Sequence, residues 1–238
     1  MTTVAIMQPY LFPYIGYYQL VAAADIFVFL DDVNFIKRGF VNRNRIIDRK
    51  GNAVRFTLPV QKASQNRQIR EHFYANDNGK TLKSIEHCYT GAPGYSTWIP
   101  LLQDILHNHA DKRVSELNET SIRKPLTTLD IEPRFSRSSE LDPQSSLVGD
   151  ERILNLCQTL RADRYINLPG GRALYSPDRF AKHGIELKFL DSPAPVRLPD
   201  HSAENPSFLH YLMTDRSPGE SANRVLATNQ APDSPEDD

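Results

Sequence analysis

The sequence predicts an α/β protein with a parallel sheet, and three patterns in it favour that class. Residues 26–30 (IFVFL) are an unbroken apolar run, which is typical of a strand buried on both faces of a parallel sheet. A shorter apolar run at residues 4–7 precedes it, and about fifteen helix-compatible residues separate the two. Strand-like and helix-like segments alternate again over residues 149–190. Together these patterns predict a Rossmann-like sheet of βαβ units with an inserted helical subdomain.

The opening βαβ unit runs from the first strand to a basic loop at residues 37–45. Gln8 ends the first strand, because Pro9 cannot donate a ladder hydrogen bond and favours an extended conformation at Gln8. A helix is predicted over residues 16–24, and the second strand follows it. In such a unit the strand ends and the helix N-terminus meet at one edge of the sheet, where ligands bind. We therefore expect the functional residues to gather at that edge.

The rest of the chain completes one domain over residues 1–226. Helices predicted over residues 80–89, 95–109 and 117–129 form a helical cap at about residues 80–129. Further strands are predicted at residues 53–60, 68–73, 131–135, 164–167 and 186–190, and further helices at residues 149–160, 177–182, 208–213 and 224–226. Residues 136–146 are predicted to be a loop. Residues 227–238 are acidic and lack core residues, so we expect a disordered tail.

The composition excludes several classes of protein. A net charge of −1 lacks the basic excess of a general nucleic-acid binder, so nucleic acid is not an expected partner. No apolar run reaches the roughly 18 residues of a membrane span, and the N-terminus lacks a signal-peptide pattern, which predicts a cytoplasmic protein. Cys88 and Cys157 have no metal-ligand spacing, so no metal site is predicted and both are expected to be small buried hydrophobes.

Asp31 and Asp32 follow the second strand at the predicted ligand edge, and Lys37 lies a few residues later. These three are the candidate catalytic residues, because a carboxylate there can orient or deprotonate an acceptor amine. An acid at the end of a strand is also a common turn former or cap, which is the alternative reading. Because neighbouring side chains on a strand point to opposite faces, only one of the two carboxylates is expected to enter the pocket.

The basic loop carries Arg38 and Arg43, interleaved with Asn42 and Asn44. Arginine forks match phosphate geometry, and short amides at a turn suit a phosphate cradle. A solvated basic face is the alternative reading of the same charges. We favour the phosphate cradle.

Aromatic side chains follow the first strand. Tyr10, Tyr14 and Tyr17 surround Gly16 at the start of the predicted helix, and Gln8 precedes them. Aromatic rings beside amide donors form the usual platform for a sugar or a base. Ordinary core packing is the alternative for these tyrosines.

Two further loops are candidate rims of the same site. Lys62 and Ser64 lie in a polar loop that follows a predicted strand. Asn167, Gly170 and Gly171 follow another strand and place a glycine turn after its end, as in the opening unit. A plain tight turn explains the glycines equally well.

Several of these stretches resemble one protein family. They are QPYLFPYIGY (8–17), DDVNFIKRG (31–39), NRNRI (42–46), LPVQKASQ (58–65), YTGAP (89–93) and YINLPGG (165–171). Together they resemble the signature of the WbqC-like family, bacterial proteins associated with O-antigen and other surface-polysaccharide gene clusters. The resemblance spans roughly residues 4–226. It implies an enzyme of surface-polysaccharide biosynthesis with a small-molecule substrate, a nucleotide-activated sugar.

A second resemblance is to nucleotidylyltransferases. Tyr14-Ile15-Gly16-Tyr17 is placed like their His-x-Gly-His motif, where the loop and the helix N-terminus hold a nucleotide phosphate. The resemblance implies a nucleotidylyltransferase-like form of the Rossmann-like sheet. Both histidines are tyrosines here, which counts against adenylyl transfer even where the fold is shared.

Three functions follow as hypotheses, and the cofactor and the oligomeric state are left open. The first is a transferase that moves an acyl or aminoacyl group, such as glycyl, to the amine of a nucleotide-activated amino sugar. The second is a nucleotidylyltransferase or ATP-dependent ligase, which would place Mg²⁺ on Asp31 or Asp32 and Lys62 at the phosphates. The third is a noncatalytic RNA-binding module, because basic and aromatic residues interleave over residues 10–45.

Overall fold

The structure, a computed structural model, describes residues 1–107, 109–190, 196–199 and 203–227. The strands are β1 (Thr3–Met7), β2 (Ile26–Phe29), β3 (Arg43–Ile47), β4 (Ala53–Thr57), β5 (Arg134–Arg137), β6 (Arg164–Asn167), β7 (Glu186–Phe189), β8 (Val196–Arg197) and β9 (Ala203–Glu204). The helices are α1 (Ile15–Ala22), α2 (Lys80–Tyr89), α3 (Tyr95–Leu106), α4 (Val114–Thr128), α5 (Ser138–Leu141), α6 (Gly149–Thr159), α7 (Pro177–Ala181), α8 (Leu209–Thr214) and α9 (Pro218–Leu226).

Five parallel strands form the central sheet in the order β5-β2-β1-β6-β7. The chain builds the sheet outward from β1 through β2 to β5, and then returns to the other side of β1 through β6 and β7. The crossover direction therefore reverses between β1 and β6. This arrangement confirms the predicted Rossmann-like α/β fold, and its reversal point is where open α/β sheets form a ligand crevice. The nucleotidylyltransferase-like subtype stays a prediction.

Apolar layers cover both faces of the sheet. All four residues of β2 are buried, and they alternate between the two layers as strand geometry requires. Phe27 and Phe29 face the larger layer, to which α1 to α4 and the β3–β4 hairpin contribute. Ile26 and Val28 face a smaller layer with side chains of α6 and α7. Cys157 lies in this smaller layer, where burial raises the pKa of its thiol to about 12.

The helices α2, α3 and α4 occupy the segment for which the sequence predicts a helical cap. The last of the three helices, α4, packs into the core, because its residues Asn118 and Ser121 are fully buried. The amide nitrogen of Asn118 donates to Pro9 O (2.9 Å) and Val41 O (2.6 Å), and its amide oxygen accepts from the Tyr74 hydroxyl (2.6 Å). One side chain of α4 thus fixes the loop after β1 to the segment that leads into β3.

The structure corrects the prediction for residues 37–45. The sequence predicts a basic loop there, whereas residues 43–47 form β3 and pair antiparallel with β4. Asn44, the second residue of β3, is buried, so a polar residue occupies the face that an amphipathic strand normally fills with apolar residues. That substitution hides the alternating pattern in the sequence.

Other predicted segments also differ in type or length. Residues 68–73 do not form a strand: a 3₁₀ turn spans Ile69–Glu71, and the Glu71 carboxylate accepts from the backbone N–H of Gln68 at its start. The predicted loop at 136–146 contains the end of β5 and the short α5. The helix predicted over residues 95–109 ends at Leu106, whose carbonyl lies 2.9 Å from Nδ1 of the buried His109. The predicted tail, apart from Ala227, lies outside the described residues.

No helix in the described part of the chain combines the length and the apolar character that crossing a membrane requires.

We expect Asn118→Ala to lower the free energy of unfolding by about 2–4 kcal/mol, because it removes three buried hydrogen bonds. It leaves the Pro9 carbonyl without this donor, and the Tyr74 hydroxyl and the Val41 carbonyl keep only their 3.4 Å bond to each other. Thr120→Ala, on the same helix but partly exposed, is the matched control and should change stability by less than about 0.5 kcal/mol. Urea unfolding measures both. Equal effects of the two substitutions would contradict the role given to Asn118.

Candidate functional site

Gln8 follows β1 directly at the reversal point of the sheet. Its backbone carbonyl accepts a hydrogen bond from the hydroxyl of the fully buried Tyr17 (2.9 Å). Its side-chain Oε1 is buried but has no hydrogen-bond partner in the part of the chain that the structure describes. Buried polar atoms are almost always paired, so an unpaired acceptor at a ligand crevice calls for an explanation. A ligand that donates a hydrogen bond at this edge would supply one.

Asn167 ends β6 on the other side of the reversal point. Its amide nitrogen donates to the Tyr165 hydroxyl (2.9 Å) and its amide oxygen accepts from the Leu168 backbone N–H (2.7 Å). Gly171 is required by this packing, because a Cβ there would lie 2.9 Å from Asn167 Nδ2. Packing does not require a glycine at position 170, because Gly170 is exposed and a Cβ there would meet nothing within 4 Å. Only Gly170 of this turn therefore leaves its backbone open to an approaching ligand.

Tyr10 lies between Tyr17 and Phe40, with ring centroids 5.9 Å and 6.0 Å away. Burial raises the pKa of the Tyr10 phenol. Phe40 is 51% exposed, so this row of rings runs from the core to the surface. Tyr14 is half-buried and precedes α1, whereas Gly16 lies buried inside that helix. Of the predicted tyrosines, the fully buried Tyr17 is the one that a ligand cannot reach in this conformation.

Asn42 and Asn44 hold the backbone of the site and do not face solvent freely. Asn44 Nδ2 lies 2.8 Å from Phe12 O and 3.3 Å from Leu11 O. Asn42 Nδ2 donates to Leu58 O (2.8 Å). Asn44 therefore ties the β3–β4 hairpin to the loop after β1, and Asn42 joins the two chain segments at the open end of the hairpin. The phosphate-binding role predicted for both stays a prediction.

Four arginines form what we call the arginine patch: Arg38, Arg43, Arg45 and Arg55. The antiparallel register places Arg45 directly opposite Arg55, and Arg43 lies two residues before Arg45 on the same face of the hairpin. Partial burial and then the charges of Arg55, Arg45 and Arg38 lower the pKa of the Arg43 guanidinium. Like charges directly opposite each other on two strands are destabilising. A bound anion would offset that repulsion.

The arginine patch lies beside the loop that follows β1. Arg43 Nε donates to Gly39 O (3.1 Å), and the next residue, Phe40, packs against Tyr10. The Phe40 carbonyl also accepts from the Leu11 backbone N–H (3.3 Å). These contacts join Arg43 of the arginine patch, through Gly39 and Phe40, to Tyr10 and Leu11 in the loop that follows Gln8.

Asp31 and Asp32 lie past the end of β2, and both carboxylates contact the same hydroxyl. Ser138 Oγ lies 3.1 Å from Asp31 Oδ1 and 2.6 Å from Asp32 Oδ1. Asp31 also accepts from the backbone N–H (3.1 Å) and the hydroxyl (2.8 Å) of Ser139. Strand alternation ends before these residues, and the expectation that only one carboxylate enters a pocket stays a prediction. Both acids fix the start of α5 to the end of β2.

Asp32 also belongs to a buried ion network. Its Oδ2 accepts from Arg152 (2.7 Å), which is 4% exposed and also donates to Asp142. Lys37, by contrast, is exposed, and its ammonium group has no hydrogen bond or ion pair within the described residues. The catalytic assignment of Asp31, Asp32 and Lys37 stays a prediction, and Lys37 is the one of the three whose side chain is not engaged.

The loop with Lys62 and Ser64 packs around a buried histidine. The Ser64 backbone N–H donates to His72 Nε2 (3.1 Å), and His72 Nδ1 lies 2.8 Å from Gln68 O. Burial lowers the pKa of His72, so its neutral ring accepts at Nε2 and donates at Nδ1. Both ring nitrogens are therefore occupied, which leaves this histidine no free base function. Lys62 is exposed, and its carbonyl accepts from Arg67.

Several residues at this edge carry no signal in the sequence. Arg55, Ser138 and Arg152 look like ordinary strand, loop and helix residues, and only tertiary contacts bring them to the site. The described residues contain no group of three or more histidine, cysteine or acidic side chains arranged to hold a metal ion.

The fold and the site define an α/β protein with a Rossmann-like sheet and a candidate ligand site at its carboxyl edge. The chain belongs to the WbqC-like protein family, whose model matches residues 8–213. It is similar to Uncharacterized protein Rv1507c of Mycobacterium tuberculosis (strain ATCC 25618 / H37Rv), with 29% identity over 194 residues, which cover 80% of this chain and 83% of that relative. No solved structure matches the chain.

We expect Gln8→Met to keep or slightly raise the stability of the free protein, by up to about 1 kcal/mol, because it removes a buried acceptor that has no partner. Asn44→Leu is the matched control: its amide is fully paired, so the loss should be about 2–4 kcal/mol. Chemical unfolding measures both. A loss at Gln8 as large as that at Asn44 would show that the Gln8 amide serves the fold alone.

We expect Asp32→Asn to destabilise the protein by about 2–4 kcal/mol, because it removes a charge from the buried network around Arg152. Asp104→Asn, which breaks an exposed pair with Lys124, should cost less than about 0.5 kcal/mol. Thermal unfolding at neutral pH compares them. A stable Asp32→Asn protein that loses ligand binding would instead support a direct role for this carboxylate.

Proposed function

We propose that this protein is a transferase of bacterial surface-polysaccharide (O-antigen) biosynthesis that acts on a nucleotide-activated amino sugar and transfers an acyl or aminoacyl group to its amine. The observation that carries the proposal is the arginine patch, which Arg43 joins to the loop after β1 through Gly39 and Phe40. Family membership supplies the polysaccharide context, and the arrangement of this edge supports a phosphorylated substrate.

The arginine patch suits the diphosphate of such a substrate. Arg38 and Arg55 are exposed, and Arg43 is oriented by its bond to Gly39 O. Guanidinium groups bind phosphate oxygens through two parallel hydrogen bonds, which gives both affinity and orientation. The mutual repulsion of these charges is present in the free protein and is relieved when the phosphates bind, so it contributes to affinity.

The sugar or the base would lie against the aromatic rings. Tyr10 and Phe40 supply the ring surface on the path from the arginine patch to Gln8. The unpaired Oε1 of Gln8 would accept a hydrogen bond from a sugar hydroxyl or amide. Gly170, across the reversal point, leaves room for the same ligand. Because Gln8 Oε1 is an uncharged acceptor, it suits the hydroxyl or amide of a neutral ring better than a further phosphate.

Transfer to an amine needs a group that removes or holds a proton, and direct transfer between two bound substrates needs no protein nucleophile. Among the predicted catalytic residues, Lys37 has an unengaged side chain next to Arg38 in the chain. Asp31 and Asp32 would act by holding the loop that carries Lys37, since their oxygens already bind Ser138 and Ser139.

A second function, nucleotidylyl transfer, is favoured by one observation: the β5-β2-β1-β6-β7 order places a crevice where mononucleotide-binding sheets hold their ligand. Against it, the hydroxyl of Tyr17, at the second histidine position of the compared motif, is bound to Gln8 O and buried. ATP with and without Mg²⁺ therefore belongs in the same ligand screen, together with a short RNA as the test of a noncatalytic nucleic-acid module.

We expect UDP-, GDP- or dTDP-linked sugars to raise the melting temperature, because a ligand at about 100 times its Kd stabilises by about 2.7 kcal/mol. Arg43→Gln and Arg55→Gln should each weaken the best nucleotide-sugar by about tenfold or more, since each removes a charge-assisted hydrogen bond. Arg134→Gln is the matched control, because Arg134 is exposed at the amino end of β5, on the opposite edge. Its affinity should equal that of the unmodified protein.

A larger shift with ATP and Mg²⁺ than with any nucleotide-sugar would favour nucleotidylyl or ligase chemistry. A shift with RNA alone would favour the binding module. Unchanged affinity in both arginine variants would contradict the phosphate role of the arginine patch, whichever ligand binds.

A further inference from the structure

A second charged cavity lies at the outer carboxyl edge of the sheet, where β2 and β5 end. It has a volume of about 190 Å³, and its lining includes Phe29, Glu119, Arg123, Phe135, Arg137 and Glu140. None of these belongs to the arginine patch or to the segment around Gln8. Sites for drug-sized ligands occupy about 300–1,000 Å³, so this cavity suits a much smaller molecule.

The floor of the cavity is aromatic and positions a cation. Phe29 and Phe135 stack with ring centroids 5.3 Å apart and planes 8° from parallel. The Arg123 guanidinium lies 4.9 Å from the centroid of Phe135. Arg123 is exposed, and within the described residues its guanidinium has no hydrogen bond or ion pair with a carboxylate. The ring thus holds a positive charge in place while leaving its donors available.

Two carboxylates of the lining, Glu119 and Glu140, share one cation. Glu119 is 3% exposed and accepts from Arg137 through both oxygens, at 2.7 Å and 2.9 Å. Glu140 accepts from the same guanidinium at 3.0 Å. Burial raises the pKa of Glu119, and the hydrogen bonds from Arg137 oppose that rise. A buried carboxylate is costly to keep beside a cavity unless its partners hold it there.

The two carboxylates and the two guanidinium groups of this cavity carry no net charge together, and the charge of Arg123 acts on Glu119 one helical turn away. Arg137 holds both carboxylates through hydrogen bonds and neutralises one of them, so the group of Glu119, Arg137 and Glu140 keeps one net negative charge. Arg123 on the aromatic floor contributes one net positive charge. A complementary ligand carries an ammonium group for the carboxylates and a carboxylate for Arg123, whose guanidinium makes no hydrogen bond within the described residues.

We propose that this cavity binds a small zwitterion of the amino acid class, with its carboxylate on Arg123 and its ammonium group at Glu140 and Glu119. The inference goes beyond the proposed function, because it uses none of the residues that would bind a nucleotide-sugar. The position of the cavity at the carboxyl edge of β2 and β5 agrees with where parallel sheets bind ligands. The paired charges make both ends of the ligand necessary.

The test is an NMR titration of the full-length protein with glycine, L-alanine and L-serine. Two half-ligands serve as controls: propionate lacks the ammonium group and ethylamine lacks the carboxylate. We expect saturable shifts of the backbone amides around Arg123 and Arg137 with at least one amino acid, and at least about tenfold weaker binding of both half-ligands. Raised salt should weaken the binding, because the site is partly open to solvent.

Arg123→Gln and Glu140→Gln should each weaken the amino acid by about tenfold or more, and both change exposed side chains, so the fold should survive. Arg134→Gln, on the same strand as Arg137 but at its other end, should leave the affinity unchanged. No saturable binding of any of the three amino acids overturns the proposal, as does equal binding by propionate or by the Arg123→Gln protein. Because Arg43 and Arg55 are untouched here, failure of this test leaves the nucleotide-sugar proposal standing, and the reverse also holds.

Discussion

The structure of the candidate site depends on the side chain of Asn118. This amide, on a helix more than a hundred residues from β1 in the chain, bonds the backbone of Pro9 and of Val41. A few residues away, Ser121 Oγ accepts from the Phe12 backbone N–H (3.1 Å). Loops that carry ligand-binding groups are mobile unless their backbone polar groups are satisfied. Here α4 satisfies them, so the aromatic loop after β1 and the segment before β3 keep fixed positions relative to each other.

The two acids after β2 also hold the backbone of this edge in place. Asp31 and Asp32 fix α5 and contact Arg152, and they occupy the stretch between Gln8 at β1 and the charged cavity at β5. Adjacent strands lie about 4.8 Å apart, so the ends of β1 and β5 are separated by about 10 Å. The acid cluster therefore fixes the backbone between these two parts of the sheet edge.

The sequence predicts the elements whose patterns are continuous. β2, α2 and β6 lie where unbroken apolar runs or helical spacing place them, and the edge that collects Gln8, Asp31 and Asn167 follows from the βαβ order. The sequence does not predict the β3–β4 hairpin, because the buried Asn44 interrupts the apolar alternation of β3. The sequence does not predict the partners of the two acids either. Ser138 lies 107 residues from Asp31 and Arg152 lies 120 residues from Asp32, and no local pattern relates them.

The central claim is that the arginine patch and Gln8 contact one ligand, and hydrogen–deuterium exchange with a bound nucleotide-sugar tests it most directly. The account predicts slower exchange in residues 8–12, 38–45 and 53–57 together, with the backbone around Gly170 also protected. Protection confined to one of these segments, or located only at the amino edge of the sheet, would contradict a shared site.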